Sequence, residues 1–409
     1  MSVCAQPASE LAGKKILLGV TGGIAAYKCA ELVRLLKKAG ADVIVGMTEA
    51  ATRFVTPLTF QALSGHPVAV DAWNPDQGNG MHHIDLTRTS DLMLVAPASA
   101  DFIAKMAQGR GDDLLSTLVL ARDCPLAVAP AMNRQMWSNP ATQRNATQLR
   151  SDGVAIWGPA MGEQACGETG EGRMLEPAEL LELVIAAVTP KVLAGQRIVM
   201  TVGPTFEPLD PVRGITNRSS GQMGYAMARA FAQAGADVTL VSGPVHYTAP
   251  LGVRRIDVLT AEQMRQAVMS EIASATVFVG VAAVADYRPV DVAEHKLKKT
   301  DPGGAQPGRS IELTTNPDIL AEVASLPAAP YCVGFAAESQ NLDEYAEAKR
   351  QRKRLPLIIG NLVADGLGTT ENRVTLYDDT GRHSLPLLHK VALAKRLVDE
   401  LAKRLKAVV

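Results

Sequence analysis

In the first half of this chain the residues whose types can do chemistry are a histidine pair, an asparagine and a cysteine. His82 and His83 stand in Met81-His-His-Ile-Asp85, Asn133 follows Pro130-Ala-Met132, and Cys166 lies in the run Gly162 to Met174, which carries four glycines. An imidazole titrates near neutrality and can take or orient a proton. A thiol with a pKa of about 8.5 can give one up and recover it from water. Each residue also has a plain alternative. A histidine pair before a strand is commonly structural, an asparagine after Pro-Ala-Met can cap a turn, and a lone cysteine is often a small buried hydrophobe.

The second half carries a different set. Ser219, Ser220 and Gly221 stand at a helix start, where exposed N–H groups and the helix dipole favour an anion; an ordinary serine N-cap fits the same residues. Asp286 ends the segment Ala283-Val-Ala-Asp286, and Lys296-Leu-Lys-Lys299 follows. Then come Asn316-Pro-Asp-Ile319, Gly334-Phe-Ala-Ala-Glu338, and Lys349 and Lys353 on one face of a basic helix. One carboxylate for a divalent cation plus several lysines for phosphates is what nucleoside triphosphate chemistry requires. The helical lysines alone read equally as a solvated face.

The elements that must position these groups start twice. Lys15 to Val20 reads as a buried strand, Gly22-Gly23 as a tight turn, and 25–39 as a helix with apolar residues at a 3.6-residue period. Gly40 stops it, and Asp42 to Met47 is a strand. The same order recurs with a strand at Arg197 to Val202, a helix from Gln222, a stop at Gly235 and a strand at Asp237 to Val241. Further buried strands fall at 92–95, 126–129, 277–281, 331–335 and 357–360. This predicts an α/β chain of two doubly wound, mostly parallel-sheet domains, flavodoxin-like and Rossmann-like. The expected division is a tail over 1–14, one domain over 15–189 and another over 190–409, with an apolar helix over 177–188 before the junction. The run Val202 to Gly221 reads as a long polar loop, the glycine-rich run at Cys166 as a flap, residues 301–309 as a loop, and 387–409 as a basic amphipathic helix with a solvated charged face.

Composition narrows the function classes. At 409 residues with a net charge of −1, the chain has no bulk attraction to nucleic acid or a membrane surface. No apolar stretch approaches the roughly 20 residues of a spanning helix, and no secretory leader is read at the start, so a cytoplasmic enzyme is expected. Five cysteines without short spacing argue against a disulfide framework or a zinc site. The Gly22-Gly23 turn lacks G-x-G-x-x-G spacing, and Met47-Thr48 stands where a dinucleotide site places an acid. That favours a mononucleotide over NAD, although a plain tight turn fits those two glycines as well.

Taken together, the motifs of the first half, with Pro97-Ala-Ser-Ala-Asp101, resemble the phosphopantothenoylcysteine decarboxylase family of FMN proteins over about Lys15 to Met174. The resemblance implies that FMN oxidises the cysteine end of the substrate so that carbon dioxide leaves, and then returns the electrons. It implies His83 as the active-site histidine, Asn133 as the holder of the substrate carboxylate and Cys166 as the proton donor. Arg173 and Met174 would close the flap on the substrate. Gly22, Gly23, Ile24, Thr48, Ser99 and Met106 would touch the flavin. Asp112 departs from the family's usual asparagine.

The second half, over about Ile198 to Asn361, is similar to the phosphopantothenate–cysteine ligases of the bacterial CTP-using type. The pair therefore resembles the bifunctional enzymes of coenzyme A biosynthesis. The implied reaction joins phosphopantothenate to cysteine through an acyl-cytidylate. Asp286 would act through Mg²⁺, Lys296 would neutralise charge, and Asn217 would hold the acyl intermediate. Gly280, Val281, Ala282, Asn316, Pro317, Asp318, Ile319, Phe335, Lys349 and Lys353 would surround CTP, and Ser219, Ser220 and Gly221 the phosphopantothenate. Gly214, Arg218 and Gln222 depart from some relatives. The resemblance also implies trimers of the first domain and dimers of the second, hence a large homo-oligomer such as a dodecamer. Two other classes compete: a non-catalytic flavin-binding module, disfavoured by the joint presence of His83, Asn133 and Cys166, and a nicotinamide oxidoreductase, disfavoured by the missing fingerprint.

Overall fold

The computed structural model describes residues 9–71, 86–165, 167–297 and 310–408. It divides into two compact units, Met1–Thr189 and Pro190–Val409.

The first unit is built on strands β1 (Lys15–Val20), β2 (Asp42–Met47), β3 (Leu92–Ala98), β4 (Leu126–Pro130) and β5 (Ala155–Ile156). They form one parallel sheet in the order β2-β1-β3-β4-β5, the flavodoxin-like order. Every residue of β3 is buried, as a central strand covered on both faces requires. The helix Ala26–Lys38 buries Cys29, Leu32, Val33 and Leu36 in a cluster with Leu180, Val184 and Ile185 of the helix Pro177–Val188. A second cluster holds Phe102, Ile103, Leu115, Leu118 and Leu149 from three further helices. Leu11, ahead of the first strand, is buried too. The glycine-rich run is an antiparallel hairpin, β6 (Ala160–Glu163) with β7 (Thr169–Arg173).

In the second unit the strands are β8 (Arg197–Val202), β9 (Phe206–Pro208), β10 (Gly214–Thr216), β11 (Asp237–Ser242), β12 (Val253–Asp257), β13 (Val277–Gly280) and β14 (Tyr287–Pro289). They continue with β15 (Leu313–Thr315), β16 (Tyr331–Glu338), β17 (Leu357–Leu362), β18 (Glu371–Asn372), β19 (Thr375–Asp378), β20 (Gly381–Ser384) and β21 (Leu388–His389). The main sheet has eight strands in the order β12-β11-β8-β13-β16-β17-β19-β20. Its first six are parallel and follow the 3-2-1-4-5-6 order of a Rossmann sheet. The last two form an antiparallel edge.

Three features depart from the sequence reading. The expected long loop from Val202 to Gly221 contains the hairpin β9–β10. Its turn is closed by the buried Asp210, whose Oδ1 accepts from the Val212 and Arg213 amides at 2.8 and 3.0 Å. Strands of three residues are too short to show a period. The antiparallel edge β19–β20 was not anticipated. Finally, the last helix, Lys390–Val408, does not leave all its charges in solvent, since Lys390 is 4% exposed. It lies three, four and seven residues before the core residues Leu393, Ala394 and Leu397, on the buried face.

Candidate functional sites

Ligands of open α/β sheets bind outside the carboxyl ends of the strands where the strand order reverses. In the first unit that place lies between β1 and β3. Thr21 knits it together: its Oγ1 donates to the Pro97 carbonyl at 2.7 Å and accepts from the Ser99 amide at 3.0 Å. The Gly22-Gly23 turn follows, with open space where a Gly23 side chain would stand. The helix Ala26–Lys38 begins at Ala25 with no side-chain cap, and its first amides turn back to the Gly23, Ile24 and Ala25 carbonyls at 3.0, 3.4 and 3.0 Å. Thr48 and Ser99 flank the turn, each capping its own helix by accepting from Ala51 and Phe102 amides at 3.3 and 3.2 Å. Ile24 is exposed. Open glycine backbone, the positive end of a helix dipole and two hydroxyls fit a phosphorylated flavin. Met106 is buried among Phe102, Leu114 and Leu115, away from solvent. Asp112 is paired with Lys105 and Arg110 at 3.0 and 2.7 Å.

Asn133 leaves the end of β4 and caps the short helix Arg134–Ser138, its Oδ1 accepting from the Gln135 amide at 2.8 Å. Its Nδ2 is turned the other way and donates to Glu168 Oε2 at 2.8 Å. The same carboxylate takes Gln135 Nε2 at 3.1 Å and lies 3.6 Å from Arg134 Nε. Two amide donors and a guanidinium thus converge on one carboxylate, which is what carboxylate recognition needs. The hairpin is stapled here through the backbone: the Met132 amide donates to the Gly172 carbonyl at 2.9 Å. Gly172 has φ +149°, and a Cβ on it would come 2.2 Å from the Met132 oxygen, so only glycine allows this approach. Arg173 pairs with Glu176 at 3.1 Å, while Met174 is 2% exposed and anchors the base of the hairpin in the core. His83, with His82 and Asp85, and Cys166 lie outside the described residues. Cys29 donates to the Ala96 carbonyl at 2.9 Å, and burial drives its thiol far above the ordinary range, so it is inert.

The second unit holds a cavity of about 790 Å³ at its own reversal point, between β8 and β13. It is lined by Asn217, Ser219, Ser220, Gly221, Gly280, Val281, Ala282, Asp286, Asn316, Pro317, Asp318, Ile319, Phe335, Lys349 and Lys353. The expected nucleotide and acyl groups are therefore gathered in one place, with the exception of Lys296. That residue is exposed and does not line the cavity. Its neighbour Leu297 is tied to the β9–β10 turn, donating to Asp210 Oδ2 at 3.1 Å and accepting from Arg213 at 3.0 Å. Lys298 and Lys299 lie outside the described residues.

Each wall has a local cause. Asn217 Nδ2 donates to the Ala283 carbonyl at 2.9 Å, bridging the loop before the helix Gln222–Gln233 to the end of β13. Asn316 ties the opposite loops together, donating to the Ala285 carbonyl at 2.8 Å and accepting from Arg288 at 3.1 Å. Asp318 caps the helix Ile319–Ala324 and pairs with Lys353 at 2.7 Å. Burial works against the Asp318 charge, but the hydrogen bonds from Lys353 and the Ala321 amide outweigh it and hold its carboxyl below the usual range. Lys349 donates to the Phe335 carbonyl at 2.6 Å, and burial, helped by Lys353, lowers its ammonium pKa. Asp286 is exposed, and the described residues contain no cluster of three or more acidic, histidine or cysteine side chains that could hold a metal. One carboxylate fits a magnesium ion whose other ligands are phosphate oxygens and water.

Sequence reasoning missed several groups. Glu168 lies two residues after Cys166 and was read only as part of a flap. Lys390, Asn361 and Asn372 line the cavity. A lysine in register with an apolar helical stripe was the available signal for Lys390.

Comparison with known proteins follows the same division. Residues 5–189 match the family described as Flavoprotein, and residues 193–405 match the DNA/pantothenate metabolism flavoprotein C-terminal domain. The coenzyme A biosynthesis bifunctional protein CoaBC of Vibrio cholerae is 54% identical over 95% of this chain and 98% of its own length. The protein of that name from Escherichia coli is 50% identical over 97% and 98% of the two chains. The one from Bacillus subtilis is 42% identical over 96% and 97%.

Proposed function

The chain belongs to the family of bifunctional coenzyme A biosynthesis proteins, an enzyme with a flavoprotein decarboxylase half and a ligase half, and on that premise we propose which groups perform each reaction. The observation that supports the reading most is the cavity at the strand ends of the second unit, which gathers an exposed carboxylate, three lysines and a helix start without a side-chain cap at Gly221.

In that cavity CTP lies against Gly280 to Ala282, Asn316 to Ile319 and Phe335. Lys349 and Lys353 would neutralise its phosphates, and Asp286 would hold a Mg²⁺ ion that supplies further charge neutralisation. The phosphopantothenate carboxylate attacks the α-phosphate, the α–β bond breaks, and pyrophosphate leaves. Asn217 holds the acyl-cytidylate. The cysteine amine then attacks the acyl carbon and CMP departs, giving phosphopantothenoylcysteine. Lys296 would serve the first step only if the chain around it brings it to the cavity.

The first unit then removes the new carboxylate. Bound FMN supplies the two-electron oxidation of the cysteine end and the later return of those electrons. Asn133 holds the carboxylate that leaves as carbon dioxide, taking the place that Glu168 fills here. His83 takes or orients a proton near the reacting carbons. The Cys166 thiol protonates the carbon that has lost carbon dioxide and recovers its proton from water. Gly22, Gly23, Thr48 and Ser99 hold the flavin. Reaction order is thus the reverse of chain order. We place the enzyme in the cytoplasm, as a homo-oligomer with trimeric first units and dimeric second units.

Cys166→Ser is the test. It should stop decarboxylation with flavin still bound and leave pyrophosphate release from CTP within about twofold of the parent. Equal loss of both activities would overturn the assignment. Pyrophosphate release with ATP at the same efficiency would overturn the CTP preference, and light scattering showing a monomer would overturn the assembly.

A further inference from the structure

The ligase cavity has a second cationic pole that shares no residue with the first. Lys390 opens the last helix, is 4% exposed and lines the cavity. Its Nζ donates to Gln222 Oε1 at 3.0 Å, to the Gly366 carbonyl at 2.9 Å and to the Thr369 carbonyl at 2.5 Å. All three acceptors are neutral. Burial alone lowers its pKa, with no neighbouring charge contributing. By contrast, Lys353 at the other pole has Asp318 at 2.7 Å.

A buried ammonium with hydrogen bonds but no counter-charge is costly unless an anion arrives. The place where one would arrive is next to it. Gln222 is the first residue of a helix of 12 residues whose cap is Gly221, in the left-handed region at φ +77° and without a side-chain cap bond. The Gln222 amide reaches only Ser220 Oγ, at a long 3.4 Å, and Gly221 has no side chain to cap the amides that follow. A second, independent mark of a ligand lies beside Lys390. Asn372 is 3% exposed, lines the same cavity, and its Oδ1 is buried without any hydrogen-bond partner. It packs against Gly366, where an added Cβ would stand 2.6 Å from that oxygen. An orphaned acceptor calls for a ligand hydroxyl or amide N–H.

Resting on the ligase reading above, we propose that Lys390, acting beside Gln222 and the helix start, is the charge complement of the phosphate on the acyl substrate, and so makes the enzyme select the phosphorylated over the unphosphorylated acid. The two poles then divide the work: Lys349 and Lys353 face the nucleotide, Lys390 the phosphate monoester. Asn372 Oδ1 takes a hydroxyl or amide donor from the body of the same substrate.

The test compares the full chain with Lys390→Met, reading the KM for phosphopantothenate, the KM for CTP and the inhibition constant of pantothenate as a competitor. The parent should bind the phosphorylated acid far better than pantothenate. In Lys390→Met the KM for phosphopantothenate should rise at least tenfold, with the pantothenate constant and the CTP KM within twofold. Should this variant fail to fold, Gln222→Glu decides: a carboxylate beside Nζ neutralises the pole without emptying the site, and the same loss of phosphate preference is expected. A preserved preference in a folded variant overturns the proposal. So does a parallel rise of all three constants, which would make Lys390 only a bracket for the segment from Gly366 to Thr369. A parent with no ligase activity at all would instead overturn the reading on which this proposal rests.

Discussion

In the first unit Asn133 projects from the end of β4 against a hairpin, and its amide already grips a carboxylate, that of Glu168. In the second unit Asn217 lies on the loop before a helix and bridges to the backbone at Ala283, leaving the nearby cavity of about 790 Å³ unobstructed. On the proposed assignment the same side chain serves the same end of the substrate in two settings, Asn133 holding the free carboxylate and Asn217 the activated acyl group. The ligase surroundings are rich in cations, which stabilise charge while the carboxylate is activated and kept. The decarboxylase surroundings are a strand end and the β6–β7 hairpin, where the carboxylate must be held only until it leaves. The ligase asparagine is therefore tied to backbone beside an open cavity, and the decarboxylase asparagine is engaged by a hairpin carboxylate that a substrate must displace.

The largest effect that could break this comparison comes from removing each amide in turn. Asn133→Ala should lower kcat/KM for decarboxylation by about 10² to 10³, the usual result of deleting one oriented donor at a reacting group. Ligation should stay within about twofold. Asn217→Ala should give the mirror result. Separate assays of carbon dioxide and pyrophosphate release on each variant check both arms. Crossed losses, in which either variant damages the other reaction equally, would end the comparison.

A smaller change sharpens it. In the free enzyme the Asn133 amide is occupied by Glu168, so a substrate carboxylate must displace a charged group. Glu168→Gln keeps the shape and removes the charge, which weakens a hydrogen bond of the charged class worth roughly 1.5–3 kcal/mol when intact. The KM for the decarboxylation substrate should fall by about three- to tenfold with kcat little changed. A higher KM would show that Glu168 helps to hold the substrate instead of holding its place.

Much of the fold was legible because both sheets are parallel and buried. Continuous apolar strands such as Leu92–Ala98 and Val277–Gly280, followed by glycine-stopped helices, announce themselves. Part of the ligase cavity was legible for the same reason: Gly280, Val281, Ala282 and Phe335 lie at or near the ends of such strands. What stayed hidden depends on contacts distant in sequence. Nothing local marks Glu168 as the partner of an amide 35 positions away. Nothing around Lys390 shows that Gln222, 168 positions back, would accept its proton. The antiparallel edge was hidden because all four β20 residues are exposed, so no buried face alternates with a polar one.

That edge supplies the smallest effect and tests whether the two units are energetically separate. Asp378 ends β19, accepts from the Thr380 hydroxyl at 2.6 Å and pairs with Arg404 of the last helix at 2.8 Å. Burial opposes its charge, yet those bonds prevail and bring its pKa down to about 2 from 3.8. A carboxyl lowered on folding contributes stability that is present above its unfolded value and is lost as pH falls from 3.8 through about 2. With a side chain only 12% exposed, the contribution at neutral pH is about 2 kcal/mol. Asp378→Asn should therefore lower the melting temperature of the second unit by about 4–8 °C at pH 7 and flatten its acid dependence below pH 3.8. Differential scanning calorimetry across pH reads both. The transition of the first unit should not move, since its sheet and core clusters contain none of these groups. A matching shift in both transitions would mean that the halves unfold as one body, and the contrast between their sites would then be one of chemistry alone.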